Sequence, residues 1–181
     1  MFPLFTIGHS RHALEDFLPL LAGHSIDILA DVRAAPYSRR HPQFNRETLQ
    51  ESLAAGRIRY RWLGEALCGL SEGGNEGAHP ALREPAFRAY ADHMASDAFV
   101  QTLDRLCEGA ARWRIALMCA EADAAHCHRQ FIADALVLRG LDVHHIEADA
   151  SLRPHVCHPA LRVVDGAPRY DGQSQPALFD P

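Results

Sequence analysis

Short apolar runs alternate along this chain with stretches in which apolar residues recur every three or four positions. The runs predict β-strands at residues 2–7, 26–32, 57–62, 114–119 and 143–146. The recurring spacing predicts helices at 13–22 and 46–55, two more within 84–109, and one at 126–139. This alternation predicts an α/β fold over residues 1–150: a single three-layer domain with a mostly parallel sheet flanked by helices.

The pattern fades beyond residue 150, so residues 151–181 are predicted to form a C-terminal extension. Apolar residues at 161–164, followed by Asp165-Gly166 and then Arg169-Tyr170, predict a small hairpin. Residues 171–181, here called the C-terminal tail, have only Leu178 and Phe179 as large apolar groups. So little apolar surface does not offset the cost of ordering the backbone, which predicts a flexible tail.

The composition predicts a globular protein of the cytoplasm. The chain has 181 residues, of which 48% are hydrophobic and 23% are charged. No apolar stretch approaches the roughly 18 residues that span a bilayer, and the first residues lack the features of a signal peptide. The five cysteines are an odd number without an export signal. We therefore expect reduced thiols, a cytoplasmic location and no membrane partner.

The charge distribution is uneven. The net charge of −5 excludes a nucleic-acid binder that relies on a globally basic surface. Residues 31–61 nevertheless carry seven Arg against three acidic residues. This segment is either a basic patch for an anionic partner such as nucleic acid, or a solvated arginine-rich surface. All 18 basic residues are Arg, which excludes any mechanism based on Lys.

Polar clusters follow three of the predicted strands. Gly8-His9-Ser10 comes after the first strand, residues 33–38 come after the second, and Cys119 and Glu121 end the strand at 114–119. Ligands of open parallel sheets bind outside the carboxyl ends of the strands. We therefore expect these clusters to meet in one cleft.

The segment LMCAEADAAHCHRQF, residues 117–131, admits three interpretations. Cys119 and Cys127, with the neighbouring histidines, suggest a metal site, although their spacing is not that of a zinc finger. Alternatively, Cys119 is an activated nucleophile, because a strand end near a helix N-terminus and arginines predicts a lowered thiol pKa. Cys127 is the less suitable nucleophile because it falls within the predicted helix start.

The third and favoured interpretation is an anion pocket. Arg33, Arg129 and the free N–H groups at a helix start suit a phosphate or carboxylate, as in a nucleotide-like ligand. If the protein is an enzyme, Cys119 is the nucleophile or a ligand, and His9 or His128 transfers protons. The sequence does not identify a cofactor.

Four motifs together resemble the domain of unknown function 488 family. They are TIGHS at 6–10, DVRAAPYSRRHPQF at 31–44, Tyr-x-x-Leu-Gly at 60–64 and CAEADAAHCHR at 119–129. The resemblance implies a compact α/β domain of bacteria and archaea without an established activity. It also implies a site built from His9, Ser10, Asp31, Arg33, Pro36, Ser38, Cys119, Glu121, Cys127, His128 and Arg129.

Two further similarities suggest other functions. The segment ILADVR and the later strand–Cys–loop–Arg–helix resemble rhodanese-type sulfurtransferases, but nine residues and two acids separate Cys119 from Arg129. The tail residues Gln175, Leu178 and Phe179 resemble the short peptide by which bacterial replication and repair proteins dock on the sliding clamp. A non-catalytic adaptor in DNA maintenance is therefore the alternative to an enzyme.

Overall fold

The computed structural model of the chain describes residues 1–69 and 78–172. Within these ranges the strands are β1 (Leu4–Gly8), β2 (Ile28–Asp31), β3 (Arg59–Trp62), β4 (Ile115–Cys119), β5 (Val143–Ile146), β6 (Leu152–Pro154), β7 (Leu161–Val164) and β8 (Ala167–Tyr170). The helices are α1 (Leu14–Gly23), α2 (Arg46–Ala55), α3 (Gly64–Leu67), α4 (Pro85–His93), α5 (Asp97–Ala110) and α6 (Arg129–Val137). Short 3₁₀ turns lie at Pro42–Phe44 and Ala124–His126.

Six strands form one sheet in the order β3-β2-β4-β1-β5-β6. The first five are parallel, and β6 adds to the edge in the antiparallel direction. The register pairs Gly8 with Cys119 and Asp31 with Met118, so β1, β2 and β4 end at the same edge. The predicted α/β fold with a mostly parallel sheet is confirmed.

Helices cover both faces of the sheet. On one face, Phe17 and Leu21 of α1 and Leu53 of α2 pack against Leu29 and Met118. On the other face, α4, α5 and α6 bury Tyr90, Leu103, Ile132 and their neighbours against Leu117 and Val143. Because both faces are buried, the central strands read as continuous apolar runs rather than as alternating ones.

The predicted helix at 126–139 is wrong at its start. The helix begins at Arg129, and the preceding residues 124–126 form a 3₁₀ turn. The side chain of Asp123 caps this turn by accepting a hydrogen bond from the Ala125 amide (3.0 Å). Cys127 stands in an extended conformation between the turn and the helix (φ −141°, ψ 155°), so its side chain is not part of a helical face.

The described residues beyond 150 pack on the rest of the domain: β6 pairs with β5, and β8 contacts α4 and α6. The β7–β8 hairpin turns through Asp165 and Gly166, which both have positive φ angles (52° and 80°), as a two-residue hairpin turn requires. Tyr170 is fully buried, and its hydroxyl donates to Asp134 of α6 (3.0 Å). The division of the chain at residue 150 stays a proposal. Among the described residues, no helix is long and apolar enough to cross a bilayer.

Candidate functional site

A cavity of about 750 Å³ opens at the edge where β1, β2 and β4 end. The loops after the three strands and the start of α6 form its wall. Seven of the residues singled out in the sequence line it: His9, Ser10, Arg33, Ser38, Cys119, Glu121 and His128. The volume is in the range of cavities that hold cofactors and nucleotide-sized ligands.

Four of the predicted site residues do not line this cavity: Asp31, Pro36, Cys127 and Arg129. Arg129 is buried, and its guanidinium donates to the carbonyls of Glu121 (2.5 Å) and Ala122 (3.1 Å) and to the Thr6 hydroxyl (3.1 Å). It therefore holds the loop after β4 against β1 instead of reaching into the cavity. Gly8 allows this close approach, because a Cβ there would lie 1.9 Å from the Glu121 carbonyl oxygen.

Cys119, Cys127 and His128 form a thiol–imidazole cluster at the cavity wall. The Nδ1 atom of His128 lies 3.5 Å from the Cys127 sulfur and 3.8 Å from the Cys119 sulfur. The other ring nitrogen, Nε2, donates to the Val32 carbonyl (3.0 Å). Because a carbonyl only accepts, Nε2 carries a proton, and in the neutral ring Nδ1 is the unprotonated atom that faces both thiols.

The two thiols differ in acidity, in the opposite order from the one expected. A hydrogen bond donated to Cys127, together with burial, raises the pKa of Cys119 to about 12. The same hydrogen bond, with the positive charge of Arg129, lowers the pKa of Cys127 to about 7. The predicted lowering of the Cys119 pKa is therefore wrong, because its partner at short range is a second thiol and not a free arginine.

Arg33, which also lines the cavity, is held by Asp31. Nε and Nη2 of Arg33 donate to the two carboxylate oxygens (2.9 and 2.6 Å), and Nη2 also donates to the Phe44 carbonyl (2.8 Å). The Tyr60 hydroxyl donates to the same carboxylate (2.7 Å). Asp31 thus neutralises most of the Arg33 charge, and Nη1 is the part of the guanidinium directed at His9.

His9 is a neutral hydrogen-bond acceptor in this arrangement. Its Nδ1 donates to the Ser10 carbonyl (3.0 Å), and its Nε2 accepts from Arg33 Nη1 (3.2 Å). Burial and the adjacent Arg33 charge lower the pKa of His9 to about 4. His9 is therefore neutral at neutral pH and suited to accept a hydrogen bond, not to take up a proton or to supply a positive charge.

The cavity also contains residues that the sequence interpretation missed: Arg11, Tyr37, Arg40, His41 and Cys68. Arg11 and Arg40 are exposed, and among residues 1–69 and 78–172 no carboxylate forms an ion pair with either. Arg11 follows β1, and Arg40 lies in the loop after β2. These positions were the sequence signal that could have identified both residues as part of the site. Cys68 follows the short helix α3. The glycine-rich sequence of residues 64–80 predicts a loop, and this prediction is wrong at residues 64–67.

Two groups of side chains could hold a metal ion among the described residues: the thiol–imidazole cluster, and Asp134 with His155 and Cys157. In the second group, Asp134 is fully buried and already accepts hydrogen bonds from His155 Nε2 (2.8 Å) and the His158 amide (3.1 Å) on one oxygen, and from Tyr170 on the other. This group therefore joins the C-terminal strands to α6. The ligand atoms of the thiol–imidazole cluster are not saturated with hydrogen bonds in this way.

The residues predicted to dock on a sliding clamp, Gln175, Leu178 and Phe179, lie outside the described residues. Clamp docking therefore stays a prediction from the sequence. It requires a test that does not depend on the fold.

Comparison with known proteins identifies the family. Searches against curated proteins and against solved structures found no match. A family model described as "Domain of unknown function DUF488" matches residues 13–136, which is more than half of the chain. The matched span includes Arg33, Cys119 and His128 but not His9. The chain therefore belongs to the DUF488 family, as its sequence motifs suggested.

Proposed function

We propose that this protein is an enzyme that binds a small molecule with an anionic, phosphate-like group and acts on it at the thiol–imidazole cluster. One observation carries the proposal. Residues of three strand ends and of the start of α6 line a single cavity that contains three arginines, Arg11, Arg33 and Arg40, together with Cys119 and His128.

The electrostatics of the cavity support an anionic ligand. Arg11 and Arg40 belong to different loops, line the same cavity and have no acidic partner among the described residues. Together with Nη1 of Arg33 they outnumber the acidic lining residue Glu121. Guanidinium groups bind phosphate and carboxylate through paired, charge-assisted hydrogen bonds. The anionic group thus binds towards Arg11 and Arg40, and the remainder of the molecule extends towards Cys119.

The cavity lining also contains acid–base groups. His128 Nδ1 is available to accept a proton, because Nε2 is fixed by the Val32 carbonyl. Cys119 lines the cavity but keeps its proton near neutral pH, since its pKa is raised to about 12. A free Cys119 thiolate is therefore not the resting state of the site, and ionising this thiol requires a proton acceptor or a cation.

Calorimetric titration with AMP and with inorganic phosphate tests the ligand class. We expect AMP to bind, and the double variant Arg11→Ala/Arg40→Ala to weaken binding by at least about tenfold, since a charge-assisted hydrogen bond contributes about 1.5 kcal/mol or more. Arg105→Ala is the matched control, because Arg105 is an exposed arginine of α5 outside the cavity lining. Absence of binding by both probes, or equal binding by the double variant, would overturn the proposal.

Alkylation at alkaline pH tests whether the bound ligand reaches the thiol–imidazole cluster. Saturating AMP should slow the labelling of Cys119 by iodoacetamide, because both would occupy the same cavity. Labelling of Cys107, which lies on α5 outside the cavity lining, should not change. If AMP protects Cys119 and Cys107 equally, or protects neither, the reaction does not take place at the thiol–imidazole cluster.

A further inference from the structure

The thiol–imidazole cluster has the dimensions of a tetrahedral zinc site. With Zn–S bonds of about 2.3 Å and Zn–N bonds of about 2.05 Å, a tetrahedron has S···N edges of about 3.6 Å and S···S edges of about 3.8 Å. The two S···N distances here are 3.5 and 3.8 Å. All three ligand atoms lie within 4.8 Å of one another. The chain thus arranges two sulfurs and one nitrogen around a common centre.

His128 is oriented as a metal ligand usually is. Its Nε2–H donates to the backbone carbonyl of Val32 at 3.0 Å, which leaves Nδ1 pointing at the two sulfurs. Metal-bound histidines typically donate their second ring N–H to a carbonyl or carboxylate, which fixes the tautomer and the plane of the ring. For a histidine that binds no metal, fixing the tautomer by this hydrogen bond would have no functional consequence.

The fourth side of the cluster faces the cavity. Cys119 and His128 line the cavity, whereas Cys127 is buried behind them. Cys68 also lines the cavity but does not belong to the group of ligand atoms that lie within 4.8 Å of one another. Structural zinc sites have four protein ligands, whereas catalytic sites have three and leave the fourth position to water or substrate.

We propose that Cys119, Cys127 and His128 bind one Zn²⁺ ion whose fourth coordination position opens into the cavity. Two thiolates and one imidazole select Zn²⁺ over Mg²⁺ or Ca²⁺, which prefer oxygen ligands. The inference deepens the proposed function and rests on it for the role of the cavity as the reaction site. It names metal-assisted hydrolysis as the reaction class.

The chemistry follows from the lining of the cavity. With zinc bound, water at the open position would lose a proton to the carboxylate of Glu121, a residue that lines the same cavity. The resulting hydroxide forms a bond to a carbon or phosphorus atom of the anionic ligand. The bond from that atom to its leaving group breaks, and Glu121 returns the proton to the leaving group. One water is consumed, and no oxidant or reductant is required.

Zinc titration of the full-length, chelator-treated protein tests the site. We expect one equivalent to bind with a dissociation constant below about 1 μM. Cys119→Ser, Cys127→Ser and His128→Gln should each weaken binding by at least about 100-fold, because loss of an outer-shell partner alone costs 10–100-fold. X-ray absorption of the zinc-loaded protein should show two sulfur neighbours at about 2.3 Å and two nitrogen or oxygen neighbours at about 2.0–2.1 Å.

Cys68→Ser is the matched control, since it removes a thiol from the same cavity without touching the cluster. It should bind zinc as the unaltered protein does. An equal loss in Cys68→Ser would make Cys68 a fourth ligand and overturn the open position. Absence of stoichiometric binding, or binding unaffected by the three cluster variants, would overturn the site itself.

The outcomes separate this inference from the proposed function. Binding of AMP to the zinc-free protein, with no zinc binding, would leave the anion site standing and remove the metal. Zinc binding without AMP binding would leave the metal site standing and remove the anion site. Glu121→Gln should leave zinc affinity unchanged, because Glu121 is not a ligand in this account; a large loss of affinity would contradict its assignment as the base.

Discussion

Replacing Asp31 by Asn should destabilise the protein strongly, because Asp31 is the only carboxylate that pairs with the buried Arg33 among the described residues. The Asp31 side chain is 0% exposed and that of Arg33 is 7% exposed. The carboxylate accepts from Nε and Nη2 of Arg33 at 2.9 and 2.6 Å and from the Tyr60 hydroxyl at 2.7 Å. Asn keeps the shape but turns one acceptor into a donor and removes the negative charge.

The magnitude follows from the burial of the pair. Removing one partner of a buried ion pair leaves an uncompensated charge and costs about 3–5 kcal/mol. Tyr60→Phe removes only one hydrogen bond to the same carboxylate and should cost about 1 kcal/mol. Asp104→Asn breaks the surface pair with Arg139, in which Asp104 is 57% exposed, and should cost less than about 1 kcal/mol.

Urea denaturation followed by circular dichroism measures the free energy of unfolding of the three variants. The expected order of loss is Asp31→Asn, then Tyr60→Phe, then Asp104→Asn. A loss in Asp31→Asn no larger than that in Asp104→Asn would refute the reasoning. It would mean that Arg33 is solvated or finds another partner, and the cavity wall would then need a different description.

Three further predictions concern acid stability, the loop after β4 and the tail. Burial lowers the pKa of His9 from 6.5 to about 4, so the unfolded chain takes up this proton before the folded one does. The contribution of His9 to stability is complete above pH 6.5 and should fall by about 3 kcal/mol down to pH 4; urea titrations in which His9→Gln loses as much stability over this range as the unaltered protein would contradict the assignment. Gly8→Ala should lower the free energy of unfolding, measured by thermal unfolding, by at least about 1–3 kcal/mol, whereas Gly23→Ala, with nothing within 4 Å of the added Cβ, should not. Equal effects of the two substitutions would refute the close approach of the Glu121 carbonyl to Gly8. A peptide of the C-terminal tail should bind purified sliding clamp with a Kd near 1 μM, about −8 kcal/mol, and should lose binding with Leu178→Ala/Phe179→Ala; equal titrations would end the adaptor hypothesis.

The alternation of strands and helices was predictable because the sheet is covered on both faces. Buried parallel strands are short apolar runs, and the covering helices carry an apolar stripe, so each element has its own pattern. The helix at 46–55 and the strand at 143–146 have the predicted bounds. The rule that parallel strands end at one edge also predicted the meeting of residues 8–10, 33–38 and 119–121.

The details of the site depend on contacts that the pattern does not contain. Arg129 points away from the cavity because the loop after β4 folds back over β1 and offers it the carbonyls of Glu121 and Ala122. The relative acidity of Cys119 and Cys127 depends on a hydrogen bond between residues eight positions apart. Spacing along the chain specifies neither the fold of a loop nor the direction of a hydrogen bond.

A crystal structure of the protein soaked with AMP tests the central claim most directly. The account predicts density for the phosphate within hydrogen-bonding distance of Arg11, Arg40 or Nη1 of Arg33, with the remainder of the molecule extending towards Cys119 and His128. Ordered AMP bound at another surface, or a cavity without AMP at a saturating concentration, would contradict it.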